Sequence, residues 1–112
     1  MNRIVIDQAA NFSSVIYLSC SAKTAFGTDQ QETTKDGVPR WTVEIVVTPH
    51  GGKSEVMRLT LDGREDPCAG WMAATAVHLK NLTWNFNPKK DMTWYAVESV
   101  VTAVPAGRKG GE

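Results

Sequence analysis

Four tryptophans in a chain of 112 residues are the side chains best suited to recognition chemistry. Trp41, Trp84 and Trp94 stand in short alternating runs, each with a Lys or Arg nearby in the sequence. An aromatic ring on a sheet surface can stack on a nucleotide base while a neighbouring cation contacts the phosphate. The same rings give protein–protein contacts a large area at a low cost in side-chain entropy. These residues therefore indicate two kinds of binding surface.

Catalytic and metal-binding patterns are not found in the sequence. The histidines, His50 and His78, lie in a Gly-rich turn and on a predicted strand, with no nucleophile positioned by spacing. The run GGKS at residues 51–54 lacks the upstream glycine of a phosphate loop and is interpreted as a hairpin turn. Cys20 and Cys68 form no metal-spaced motif, and free thiols are predicted rather than a disulfide. We expect a non-enzymatic protein with no cofactor and no metal.

The charged residues balance, with twelve Lys and Arg against twelve Asp and Glu. Neutrality disfavours a nucleic-acid ligand, because affinity for phosphate comes largely from cations. Basic residues are nevertheless denser in the C-terminal third, so a locally positive groove is expected. No apolar run is long enough to span a membrane, and the N-terminal apolar stretch is too short for a secretory signal. We therefore expect one cytoplasmic domain with no membrane partner.

Alternation with a period of two predicts an all-β protein. Its clearest run places Trp41, Val43, Ile45 and Val47 on one face, which predicts that Trp41 lies in the core. The alternation changes parity at Asn81, where a β-bulge is predicted. The predicted strands cover residues 14–20, 41–48, 55–61, 76–80 and 93–101.

This layout predicts a five-stranded barrel similar to the oligonucleotide-binding (OB) fold. A short irregular or helical insert is expected between the third and fourth strands, where residues 62–74 break the alternation. A small open β-sandwich is the competing architecture, and turn spacing does not separate the two. The barrel domain is predicted to cover residues 1–104, and residues 105–112 are predicted to form a flexible tail.

Three segments carry a family resemblance: DGVPRWTVEIVV at residues 36–47, VHLKNLTW at residues 77–84 and WYAVESV at residues 94–100. They resemble the strand-entry and closing-strand patterns of small OB-fold-like single-stranded DNA-binding proteins of actinobacterial plasmids, integrative elements and phages. The resemblance covers roughly residues 14–104 and implies binding of single-stranded DNA without catalysis. The chain departs from related proteins in its neutral charge and in lacking the acidic C-terminal tail of housekeeping single-strand binders.

The predicted function is thus binding of single-stranded nucleic acid by a protein of a mobile genetic element. The alternative is a protein–protein interaction or regulatory module that uses the same aromatic sheet surface, and a homodimer is expected in either case. In the first interpretation aromatics stack on bases and cations contact phosphates. The predicted nucleic-acid-binding residues are Arg40, Arg58, Lys80, Trp84, Phe86, Lys89, Lys90, Trp94 and Tyr95.

Overall fold

The structure, a computed structural model, describes residues 2–24 and 27–102. It contains eight strands and one short helix within these residues. The predicted C-terminal tail, residues 105–112, lies outside the described part of the chain. The elements are β1 (Asn2–Val5), α1 (Gln8–Asn11), β2 (Phe12–Ala22), β3 (Arg40–Pro49), β4 (Glu55–Asp62), β5 (Thr75–Lys80), β6 (Thr83–Asn87), β7 (Met92–Ala96) and β8 (Ser99–Thr102).

The all-β class is confirmed, but the predicted number of five strands is wrong. The feature predicted as a bulge at Asn81 is the end of a strand, because Asn81 adopts a left-handed φ of 55° and β5 and β6 pair with different neighbours. The predicted fifth strand is also two strands, β7 and β8. β1, which the sequence interpretation missed, adds the eighth strand. Residues 63–74, between β4 and β5, form turns, and the helical alternative for this segment is not found.

The strands form one sheet in the order β1-β6-β7-β4-β3-β2-β5-β8. Only Asn81 and Leu82 separate β5 from β6, although these strands lie near opposite ends of that order. Val97 and Glu98 likewise join β7 to β8, which are as far apart in the strand order as β5 and β6. Connections this short require the two ends of the sheet to approach each other, so the sheet curls into an open half-barrel. Among the described strands, neighbours are antiparallel except for β4 and β7.

The seam of the half-barrel is bridged by the side chain of Gln8. Its Nε2 donates to the carbonyl oxygen of Val77 at 3.3 Å, and its Oε1 accepts from the amide of Leu79 at 2.7 Å. The carboxamide thus pairs with β5 as a neighbouring peptide group would. Because backbone polar groups away from water need partners, this contact satisfies a stretch of β5 where no described strand is paired on that side.

The core lies inside the curl, between the inward faces of the strands. Val43, Ile45 and Val47 on β3 are fully buried, and the alternation predicted for this strand is observed. Trp41 lies at the end of the same face but is only half-buried, and its Nε1 donates to the carbonyl oxygen of Gly63 at 2.8 Å. Trp71 packs edge-to-face on Tyr17, with ring centroids 5.3 Å apart, and covers one side of the core.

Two predicted turns are present and place the strands that form the outer surface. Between β3 and β4, Gly51 has a φ of 73° and the amide of Gly52 donates to the carbonyl oxygen of Pro49, so this segment is a hairpin turn. Between β6 and β7, the amide of Lys90 donates to the carbonyl oxygen of Asn87. No helix in the described segments has the length and apolar character needed to cross a membrane.

Candidate binding groove on the outer face

The side of the sheet turned away from the core carries a continuous row of side chains across β3, β4 and β7. Thr42 lies opposite Thr60, and Thr60 lies opposite Ala96. Because side chains of a strand alternate between faces, Trp94 shares the face of Ala96. Two adjoining cavities of about 350 and 400 Å³ lie on this face, and Trp94 lines both of them together with Thr60 and Lys23. We call this pair of cavities the outer groove.

The walls of the groove come from two connections, the β2–β3 loop and the β6–β7 turn, which both line the first cavity. The long loop between β2 and β3 folds back on itself, because the amide of Glu32 donates to the carbonyl oxygen of Lys23 and the amide of Arg40 donates to that of Glu32. The turn between β6 and β7 supplies Lys90 from the other side. A base-sized ring can therefore approach Trp94 between two walls that both carry cations.

Most of the groove's cations are held by carboxylates. Arg58 Nε lies 2.8 Å from Glu44 Oε2, and Arg40 Nε lies 3.3 Å from Asp62 Oδ1. The Arg40 contact is an ion pair without a hydrogen bond, because its Nε is buried and its N–H has no acceptor in suitable geometry. Glu32 forms ion pairs with two cations of the groove. Its carboxylate lies 3.4 Å from Lys23 Nζ through Oε2 and 3.6 Å from Arg40 Nη1 through Oε1.

Lys90 differs from the other groove cations. Within residues 2–24 and 27–102 it forms no ion pair. It is exposed, and it lies in a turn closed by backbone bonds and by the side chain of Asn87. Its ammonium group is therefore the one available to a new anion without breaking a contact in the described structure.

The groove brings together five of the nine predicted site residues: Arg40, Arg58, Lys90, Trp94 and Tyr95. Lys89 is exposed in the same turn but does not line either cavity. Lys80 lies outside the groove at the end of β5, where its Nζ is 3.1 Å from Glu98 Oε2. Hydrogen bonds from Lys80 and from Asn81 lower the pKa of the Glu98 carboxyl.

The strand register places the predicted aromatics other than Trp94 on the other face of the sheet. Trp84 is opposite Tyr95 in the β6–β7 pairing, and Tyr95 is opposite the core residue Leu59. Trp84 and Phe86 contact each other, with ring centroids 4.9 Å apart. Tyr95 lines the second cavity and also packs against the core. Trp94 is therefore the tryptophan that the fold presents to the groove.

The sequence interpretation missed Lys23 and the carboxylates that hold the groove cations. Glu44 occupies an outward position of the clearest strand, and Arg58 occupies one of the next strand. The turn at residues 50–53 fixes the register between them, so a hairpin alignment was the signal that would have paired these two side chains. The position of Lys23 depends on the long loop, for which no comparable signal exists.

A cluster of titratable side chains lies on the core side of the sheet, away from the groove. Cys20 and Cys68 are free, as predicted, and each affects the pKa of the other. Burial raises the pKa of Cys68 to about 11, and burial and a hydrogen bond with Asp66 raise that of Cys20 further. Burial also raises the pKa of the neighbouring Tyr17 hydroxyl. In the described segments no three His, Cys, Asp or Glu side chains are grouped to hold a metal ion.

We expect the free energy of unfolding to decrease as the pH rises from about 9 towards about 11. The pKa of Cys68 changes from an ordinary 9.0 to about 11 in the fold, so in this window the folded chain holds a proton that the unfolded chain has lost. Urea unfolding at pH 8 and pH 10.5 measures the effect, and Cys68→Ala should show a shallower decrease. Rapid alkylation of both thiols by iodoacetamide in the native protein at pH 8 would contradict this description.

Comparisons of the chain with protein-family models, with curated proteins and with solved structures give no match. The resemblance to single-stranded DNA-binding proteins of mobile elements therefore stays a prediction from the residues that carry it.

Proposed function

We propose that the outer groove binds single-stranded DNA, with a base stacked on Trp94 and phosphates held by Arg40, Arg58 and Lys90. The observation that carries this proposal is the placement of one half-exposed tryptophan between cations from both walls of a groove. Stacking is tolerant of base sequence because every base has a flat face, so a single platform with flanking cations suits a non-catalytic strand binder.

The strand pairing supports the same proposal. β2, β3 and β4 form an antiparallel meander, β2 pairs antiparallel with β5, and β4 pairs parallel with β7. These pairings are compatible with the predicted five-stranded barrel if β5 with β6, and β7 with β8, are each counted as one interrupted strand. In such barrels the second and third strands and the loops beside them contact oligonucleotides. Here these correspond to β3, β4, the β2–β3 loop and the β6–β7 turn, which surround the outer groove.

Binding of a polypeptide is the second candidate. Met92 and Val56 line the two cavities and are 53% and 54% exposed, which gives the groove an apolar rim. An apolar contact would depend little on salt, whereas phosphate contacts release counterions and weaken steeply as salt rises. The predicted homodimer also stays a prediction. Among the described strands, β1 has an unpaired edge with exposed Ile4 and Val5, on which a second copy could pair.

The turn between β6 and β7 offers a matched pair of variants for the test. We expect Lys90→Ala to weaken binding of a labelled oligothymidine and to flatten the dependence of log K on log salt by about 0.7, the value for one phosphate contact on a single strand. Lys89→Ala should change neither quantity appreciably, since Lys89 does not line the groove. Fluorescence anisotropy at two salt concentrations measures both.

The double variant Lys89→Ala with Lys90→Ala should resemble Lys90→Ala and remain folded, because substitutions in solvated turns usually change stability by less than about 0.5 kcal/mol. DNA binding should also quench tryptophan fluorescence in each of these variants. If the unmodified protein binds no oligonucleotide at low salt and micromolar concentration, the DNA proposal is wrong and polypeptide binding replaces it.

A further inference from the structure

The outer face of β3 and β4 carries two ion pairs at equivalent places in the strand register. Arg40 on β3 lies opposite Asp62 on β4, and Glu44 on β3 lies opposite Arg58 on β4. The threonines at positions 42 and 60 lie opposite each other between these two pairs. Each strand thus contributes one arginine and one carboxylate, and the two pairs are separated by about 13 Å along the strands.

These ion pairs contribute little to folding. The Arg58 and Arg40 side chains are 71% and 38% exposed, and exposed ion pairs are weak because water and salt screen them. The two carboxylates should have a larger effect on the binding of an anionic ligand. A carboxylate and a phosphate oxygen are both anionic acceptors for a guanidinium, so a carboxylate already beside the arginine opposes a phosphate through its negative charge and by contacting the arginine's Nε.

We propose that Glu44 and Asp62 compete with phosphate for Arg58 and Arg40, and thereby lower the affinity of the groove for a nucleic-acid strand. This inference rests on the proposed function. Lys90, which forms no ion pair in the described part of the chain, makes the first phosphate contact, and the arginines follow by exchanging a carboxylate for a phosphate. A neutral ligand gives the arginines nothing to exchange, so the groove favours a polyanion over an uncharged molecule of similar shape.

The competition is measured with Glu44→Gln and Asp62→Asn, which remove one charge each with little change in size. Each variant should bind a labelled oligothymidine about 1.5-fold to 5-fold more tightly, corresponding to the strength of an exposed ion pair. Because the pairs are well separated, the double variant should gain by about the product of the two. Its salt dependence should become steeper by up to about 0.7 for each arginine that gains a phosphate contact.

Glu98→Gln is the matched control, since it removes the same charge from the ion pair with Lys80 outside the groove. It should leave affinity and salt dependence unchanged, which separates local competition from the effect of overall charge. Circular dichroism and thermal unfolding should show that all variants keep the fold.

The inference is overturned if the unmodified protein binds the oligonucleotide and the two groove variants bind no more tightly than Glu98→Gln; the carboxylates then orient the arginines instead of competing. Weaker binding by the groove variants leads to the same conclusion. Failure of the proposed function has a different signature, in which neither the unmodified protein nor the double variant binds at low salt. Binding by the double variant alone would support the competition, while the proposed DNA-binding function of the unmodified protein would be wrong.

Discussion

Replacing Trp94 by alanine is expected to weaken oligonucleotide binding by about 5-fold to 150-fold, the effect of losing one stacked base at about 1–3 kcal/mol. Trp94 lines both cavities of the outer groove, and its strand neighbour Tyr95, not Trp94 itself, packs on the core. The substitution should therefore reduce binding much more than it reduces stability. Anisotropy of a labelled oligonucleotide measures the affinity without relying on tryptophan fluorescence, which the substitution itself alters.

Trp84→Ala is the matched control for this experiment. Trp84 is also half-buried and lies on the adjacent strand, but the register places it on the opposite face, in contact with Phe86. Its loss should leave the affinity unchanged at temperatures where both variants are folded. If Trp84→Ala weakens binding and Trp94→Ala does not, the nucleic acid uses the other face of the sheet.

Local alternation was sufficient to predict the central strands. β3 and β4 have regular inward and outward positions and are joined by a Gly-rich turn, so their bounds and buried faces follow from neighbouring residues alone. The eight-stranded topology does not follow in this way. A parity change such as that at Asn81 looks the same in the sequence for a bulge and for a strand end, and only the partners of β5 and β6 distinguish them.

Prediction of the candidate site depended even more on the pairing of strands that are distant in the sequence. Alternation predicts that Trp94 and Tyr95 point to opposite faces, but it does not indicate which face is the core. That choice is made by the parallel contact between β4 and β7, where Leu59 lies opposite Tyr95. The sequence interpretation accordingly combined aromatics from both faces into one surface, which the structure separates.

Net charge was also an incomplete guide to the groove. A neutral chain can carry cations in a groove when each is balanced by a carboxylate, and the ion pairs of Arg40 and Arg58 have this form. Such balance keeps the net charge near zero although the groove contains cations. To judge whether the groove can bind an anion, one therefore needs to know which cations are paired with carboxylates, and strand register determines this pairing.

Leu59→Ala is expected to lower the free energy of unfolding by about 2–5 kcal/mol, the usual cost of truncating a buried leucine. Leu59 is 1% exposed, and it lies opposite Tyr95 where β4 meets β7, so the cavity would open beneath the contact that holds the Trp94 strand. Val56→Ala on the same strand is the control, because Val56 is 54% exposed and should cost less than about 0.5 kcal/mol. Urea unfolding followed by circular dichroism compares the two. Similar losses for both variants would mean that β4 does not bury the face assigned to it, and the outer groove would then lack its structural basis.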